Sequence, residues 1–350
     1  MYKEEIDNIN RSIEKNKKAI ISLGCSFVQG HGAISQDIYD NYNWQSYNGA
    51  VHWFLNEKEK NDLILKYPRI KYDPFNKSGN NYVFTFHEYD NSFVNILCKK
   101  YFNENYTPIN LGVSGCGNRA TIKELYYYPD ILWDKIEEII VIYCPSGPER
   151  FDFIDDEYSD PNNHARWKCA WPRSNKTLSD TKDEFKTELW NSYNNCLYSE
   201  KFSLLEQIAN VQELLLWCKY KNARLIITSA FNRSYEITNF KNIFNQDVIR
   251  DDDTSKITGI KDTRSSKKEI NNTINMWPWE NMFNPDGCPT FMDLVLKQEF
   301  PNKWEHGVHF YDFYGKGSPG KWVTPCAHPS ANGHAIFAQY LYNHITENIL

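Results

Sequence analysis

Ser26 closes the run Ala19-Ile20-Ile21-Ser22-Leu23-Gly24-Cys25-Ser26, and Phe27-Val28-Gln29-Gly30 follow it. A short apolar run bounded by a turn signal reads as a buried parallel strand. Ligands of open α/β sheets sit outside the carboxyl ends of the strands. Ser26 is therefore placed where a nucleophile or an anion-binding hydroxyl acts, although an ordinary turn serine leaves the same pattern. Three other segments carry comparable polar punctuation: Gly112-Val113-Ser114-Gly115-Cys116-Gly117-Asn118, Pro145-Ser146-Gly147-Pro148-Glu149-Arg150, and Cys326-Ala327-His328-Pro329-Ser330. Because Pro329 follows it, His328 belongs to a loop rather than a helix interior. Histidine titrates near neutrality, which suits it to proton transfer.

The elements that would hold these residues alternate between strand and helix. Asn91 to Tyr101 has helical spacing at Phe93, Ile96, Leu97 and Lys100, and Tyr106 to Leu111 reads as a strand. A helix over Arg119 to Tyr128 follows, then a strand over Ile136 to Cys144. Lys201 to Tyr220 forms an amphipathic helix with Leu204, Leu205, Ile208, Val211, Leu215 and Cys218 on its apolar side. It leads into a strand at Ala223 to Ala230. Asn332 to Leu350 closes the chain as a helix with Ile336, Phe337, Tyr340, Leu341, Ile345 and Ile349 inward. This order predicts an α/β fold with a mostly parallel, doubly wound sheet in three layers. The expected organisation is an N-terminal arm or short helix over 1–18 and one domain over 19–350. Aromatic-rich insertions fall at about 31–90, 151–200 and 231–321.

Composition narrows the class. The 350 residues are 41% hydrophobic and 15% aromatic, enough for a substantial core. Net charge is −6 with Lys and Arg scattered, so no nucleic-acid footprint is present. No apolar stretch approaches the ~18 residues of a membrane span, and Met1 to Lys18 lacks the apolar segment of a secretory signal. Nine cysteines without a C-x-x-C pair fit a reducing, cytoplasmic-type compartment better than a disulfide framework. Cofactors and metals are not expected. The turn at Gly115 to Asn118 lacks the lysine of a P-loop, and His306 and His309 have only Glu305 and Asp312 near them.

In their order along the chain, Gly24-Cys25-Ser26, Asn110-Leu111-Gly112-Val113-Ser114-Gly115 and His328-Pro329 with Gly333-His334 resemble the blocks of the SGNH (GDSL-type) hydrolases. Cys25 stands where that family usually has Asp. No Asn follows the third strand, and Pro325 occupies the place of the triad acid, for which Asp312 is one substitute. The resemblance implies an SGNH-like, flavodoxin-like fold and acyl transfer. Ser26 would be the nucleophile and His328 its base. The oxyanion would be held by the N–H groups of Ser26 and Gly115, with Ser146 as a third donor.

Other residues read two ways. Arg150 is a surface ion-pair residue or a clamp over substrate, and Asn118 is a candidate substrate contact. Cys25 should point inward, and His334 reads as a helix-start packing residue. Trp44, Tyr47, Trp53, Trp277, Trp279 and Trp304 either stack on sugar rings or build small cores within the insertions. The expected activity is hydrolysis of a small ester, with an O-acylated carbohydrate as one candidate. A binding protein on the same fold and an acyltransferase with the same Ser/His pair are the alternatives. No nucleic-acid or membrane partner is expected, and the oligomeric state is not legible.

Overall fold

The computed structural model describes residues 3–31, 33–47, 50–72, 82–83, 85–113, 116–128, 130–148, 150–154, 167–170, 200–246, 267–302, 323 and 328–350. Four strands, β1 (Lys18–Gly24), β2 (Thr107–Asn110), β3 (Glu138–Cys144) and β4 (Arg224–Ile227), form one sheet in the order β4-β3-β1-β2. All three pairings are parallel. Gly24 lies beside Cys144, so the turns after β1 and β3 leave the sheet at the same level.

A strand turns successive side chains to opposite faces, and both faces here are apolar. Ala19, Ile21, Leu23, Ile139, Val141, Tyr143, Leu225 and Ile227 belong to one buried cluster. Ile20, Ile140, Ile142, Cys144 and Ile226 belong to the other. The first face is covered by α1 (Lys3–Asn16), α4 (Asn118–Lys123), α5 (Glu200–Tyr220) and α6 (Ile237–Gln246). On the second lie α3 (Phe93–Ile96), α7 (Phe291–Glu299) and α8 (Ala331–Asn348). The short helix α2 (Ser26–Gln29) sits at the rim, directly after β1. Helices on both faces of a parallel sheet make the three-layer, doubly wound α/β architecture that the element order predicts.

Several elements differ in detail from their sequence patterns. The helix expected over Asn91 to Tyr101 starts at Phe93 and finishes as a π-helical turn, Leu97–Tyr101. α4 ends at Lys123 and continues only as a 3₁₀ turn, Glu124–Tyr126. In α5 the inward face includes Leu214, whereas Leu205 is exposed and Leu215 only half-buried. The N-terminal segment is a packed helix, with Ile9 and Ile13 buried against the first face.

The first insertion has elements of its own. Helices Gln36–Asn41 and Glu57–Lys66 enclose a small core of Ile34, Ile38, Tyr39, Leu63 and Ile70. Asn56 and Glu59 form a reciprocal capping box at the start of the second helix. In the last insertion Trp277 is buried and stacks on Tyr235 at 5.3 Å, while Trp279 packs edge-on against Phe240 at 5.4 Å. Of the two readings left open for these tryptophans, both rings take the packing one, Trp277 within the first cluster and Trp279 partly buried against it. Trp304 and the side chains of Trp44, Tyr47 and Trp53 lie outside the described residues. Among the described residues, no helix is long and apolar enough to cross a membrane.

Candidate active site

Close backbone approach brings the rim together. A Cβ on Gly24 would fall 2.7 Å from the Cys144 carbonyl oxygen, and one on Gly112 would collide with the Gln29 amide nitrogen. Glycine at these two places lets α2 fold over the ends of β1 and β3 while the turn after β2 passes beneath it. Asn110, at the end of β2, ties the pieces. Its side chain donates to Val28 O at 2.9 Å and accepts from the Gly112 N–H at 2.9 Å. The Val113 N–H donates to Gly24 O at 2.9 Å, holding the same turn to β1.

Ser26 opens α2 and is 8% exposed, so its hydroxyl is screened from water without being sealed off. Its N–H lies in the first turn of a helix, where backbone donors have no intrahelical acceptor. Cys25 before it is buried in the second cluster. His328, 302 positions away, brings Nε2 to 2.9 Å from Ser26 Oγ. The ring is held by its neighbours: Phe27 lies at 4.9 Å between centroids, tilted by 44°, and His31 meets it edge-on at 4.6 Å. Phe231 backs Phe27 at 5.1 Å. The turn carrying Phe231 is fastened to α7 by a two-point Arg233–Asp293 ion pair.

Behind Ser330, which caps α8 by accepting from the Gly333 N–H, His334 is fully buried. It accepts the Phe93 N–H at Nδ1 and lies parallel to the Phe93 ring. Burial, with a smaller contribution from nearby His328, lowers its pKa to about 3, so it stays neutral.

On the other flank the site is polar. Asn118, 5% exposed, accepts at Oδ1 from both the N–H (2.7 Å) and the hydroxyl (3.1 Å) of Ser146. Its Nδ2 donates to the Tyr235 hydroxyl at 2.9 Å and lies 3.3 Å from the carbonyls of Ser146 and Gly147. Tyr235 in turn donates to Ser146 O at 2.7 Å. Asn118 is thus a buried clamp with both ends of its amide engaged, and Ser146 directs its N–H and its hydroxyl to it.

Arg150 is half-buried. Its Nη1 donates to Cys116 O at 2.8 Å, and its guanidinium lies 5.5 Å over the Phe231 ring. Its place is therefore at the rim, between the polar flank and the aromatic one.

Gly115, Pro325 and Asp312 lie outside the described residues, as do His306 and His309. Among the described residues, no cluster of His, Cys, Asp or Glu has the makings of a metal site. Sequence reasoning passed over His31, Phe231, Asp152 and Tyr235. His31 had a signal, since it falls in the same turn as Ser26; the other three meet the site only through the fold.

No known protein-family model matches this chain, and no curated protein does. Two solved structures share part of its course. A carbohydrate esterase, whose active site is described as displaying divergent catalytic and non-catalytic binding functions, is 12% identical with a TM-score of 0.38. The match covers 95% of this chain and 70% of that one. A catalytic mutant of Axe2, an acetylxylan esterase from Geobacillus stearothermophilus, is 12% identical with a TM-score of 0.34, over 94% of each chain. At those scores neither likeness bears on what this chain does.

Proposed function

We propose that this protein is a serine esterase of the SGNH type acting on a small ester, an O-acylated carbohydrate being one candidate. The observation that carries the reading is the 2.9 Å contact between Ser26 Oγ and His328 Nε2. A serine hydroxyl is a poor nucleophile at its free pKa and needs an adjacent base. His328 takes that proton as Oγ attacks the acyl carbon, and returns it to the leaving alkoxide. Water then repeats the cycle on the acyl-serine. The developing oxyanion is assigned to the N–H groups of Ser26 and Gly115, because the order of blocks along the chain resembles that of the SGNH hydrolases.

Two observations support the assignment from the sides. Beside Ser26 the described rim presents the rings of Phe27 and His31 around His328, an apolar side that suits an acyl group. Cys25, Cys98, Cys116, Cys144, Cys218 and Cys288 are buried free thiols, so none of these six competes with Ser26 as an exposed nucleophile.

Purified protein should hydrolyse p-nitrophenyl acetate and take up a fluorophosphonate probe at Ser26. Ser26→Ala should cut turnover by at least about 10³-fold and abolish labelling. Undiminished turnover in that variant would sink the assignment. A wild-type protein that binds acylated sugars with neither turnover nor labelling would be a binding protein on this fold.

A further inference from the structure

Gly117 stands at the cap position before α4, and a glycine in that place has no side chain with which to satisfy the helix's first N–H groups. The acceptor comes from elsewhere. Asp152, on the strand Phe151–Ile154, accepts the Gly117 N–H at 2.6 Å through Oδ1 and the Ala120 N–H at 3.0 Å through Oδ2. A Cβ on Gly117 would stand 2.6–2.8 Å from that carboxylate, so glycine is what lets Asp152 close in. Two residues earlier, Arg150 holds the Cys116 carbonyl. One short segment thus grips the Cys116–Gly117 peptide unit from both sides, by a donor at its carbonyl and an acceptor at its N–H, and reaches on to the Ala120 N–H in the first turn of α4.

The arrangement is an expensive way to cap a six-residue helix. Asp152 is 8% exposed, and burial pushes its pKa up to about 6 despite the backbone donors and Arg150. A serine or threonine at position 117 would cap locally without burying a charge. What the local cap would not provide is a tie between this turn and a separate strand.

We infer that Asp152 and Arg150 are positioning residues for the chemistry at Ser26, holding the turn between β2 and α4, which Val113 ties to Gly24 just before the serine. The inference rests on the esterase reading. The grip continues into the aromatic flank, because the Arg150 guanidinium lies over Phe231, which backs Phe27 against His328. The charged and titratable groups facing Asp152 are Arg150 on its own segment, Cys116 on the turn, Arg119 on α4, Tyr143 on β3 and Glu206 on α5.

The test is Asp152→Asn, which keeps the size but turns an N–H₂ toward one of the two backbone donors. Turnover of p-nitrophenyl acetate should fall about tenfold or more in kcat, with KM within twofold, because the turn stabilises the transition state rather than the bound ester. The lower limb of the kcat–pH profile should lose its contribution near pH 6. Deuterium exchange at the amides of residues 117 and 120 should quicken at least tenfold, while β1 and β3 stay protected.

Arg150→Met, at a half-exposed position, is the second variant should Asp152→Asn not fold; it should lower kcat with KM held and raise exchange in the same turn. Folded variants with unchanged kcat, pH profile and exchange overturn the proposal. If the wild type shows no Ser26-dependent turnover, the esterase reading fails. Exchange then decides alone whether the clip exists: quickened exchange supports it and unchanged exchange overturns it.

Discussion

The two flanks of Ser26 are built from different materials. On the His328 side, Phe27, Phe231 and His31 place the imidazole by ring contact, above a face of the sheet filled by Phe93, Phe291 and Phe337. On the side of the turn after β2, the work is done by buried hydrogen bonds among Asn118, Ser146, Tyr235 and Asp152. The segment after β4 serves both, giving Phe231 to one flank and Tyr235 to the other. A ring can shift slightly against its neighbours and keep most of its dispersion energy. A hydrogen-bonded clamp has no such latitude, since a buried donor without an acceptor loses its full solvation. The turn side should therefore be the brittle one.

The largest effect expected from this contrast is at Asn118. Asn118→Leu keeps the branched shape but removes the acceptor of the Ser146 N–H and hydroxyl and the donor to Tyr235. Orphaning two or three buried polar groups costs on the order of 4 kcal/mol. Urea denaturation should show that loss as a lower midpoint, with esterase activity falling alongside. A loss below about 1 kcal/mol would mean that the clamp is not what fixes the third turn.

Acid separates the flanks in sign. Glu124, just past α4, is 3% exposed, with Oε2 unpartnered; burial lifts its pKa from 4.5 to about 7 against a smaller opposing effect of the Tyr128 hydrogen bond. A raised folded-state pKa means that the native protein holds the proton more tightly than the unfolded chain. Glu124's contribution is thus fully present below pH 4.5 and lost as pH rises through 7, a loss on the order of 3 kcal/mol. His334 on the other flank has its pKa lowered to about 3 by burial, so its contribution is present above pH 6.5 and falls away as pH drops. By pH 5 that loss is about 2 kcal/mol. Glu124→Gln should raise Tm at pH 8 and change little at pH 4.5. His334→Asn, whose Oδ1 can still accept the Phe93 N–H, should flatten the acid limb below pH 6.5. Parallel Tm–pH curves for wild type and both variants would refute the division.

The same division decides how much was legible beforehand. Ile20, Ile21 and Leu23 form one apolar run before Gly24, and Ile139 to Ile142 another, so two strands and their carboxyl ends announce themselves. The meeting of Ser26 and His328 follows from position: one residue ends the first strand, the other precedes the last helix. The polar clamp left no such trace. Asn118 and Tyr235 are 117 positions apart, and Asp152 reaches Gly117 from 35 positions away. Tertiary hydrogen bonds have no period. Asn118 and Ser146 sit at strand-end turns, where side chains usually meet ligands, and nothing in their sequence context announces the clamp between them. The two tryptophans at 277 and 279 show the same ambiguity, since aromatic loop residues look alike whether they face sugar or one another.

The smallest effect should come from Phe27, where an apolar-for-apolar change meets the tolerant flank. Phe27 is 6% exposed and touches both Phe231 and His328. Phe27→Leu leaves an apolar side chain and strands no polar group, so its cost should be about 1 kcal/mol, or a Tm shift of about 2–3 °C for a domain of this size. Turnover should fall only about threefold, because His328 keeps its contact with His31 and its bond to Ser26. Against the Asn118→Leu result, this sets a ratio of about four between two buried substitutions to leucine on either side of one serine. If Phe27→Leu instead proves the costlier, the histidine flank depends on the exact ring pair, and the polar clamp is the part of the site with room to give.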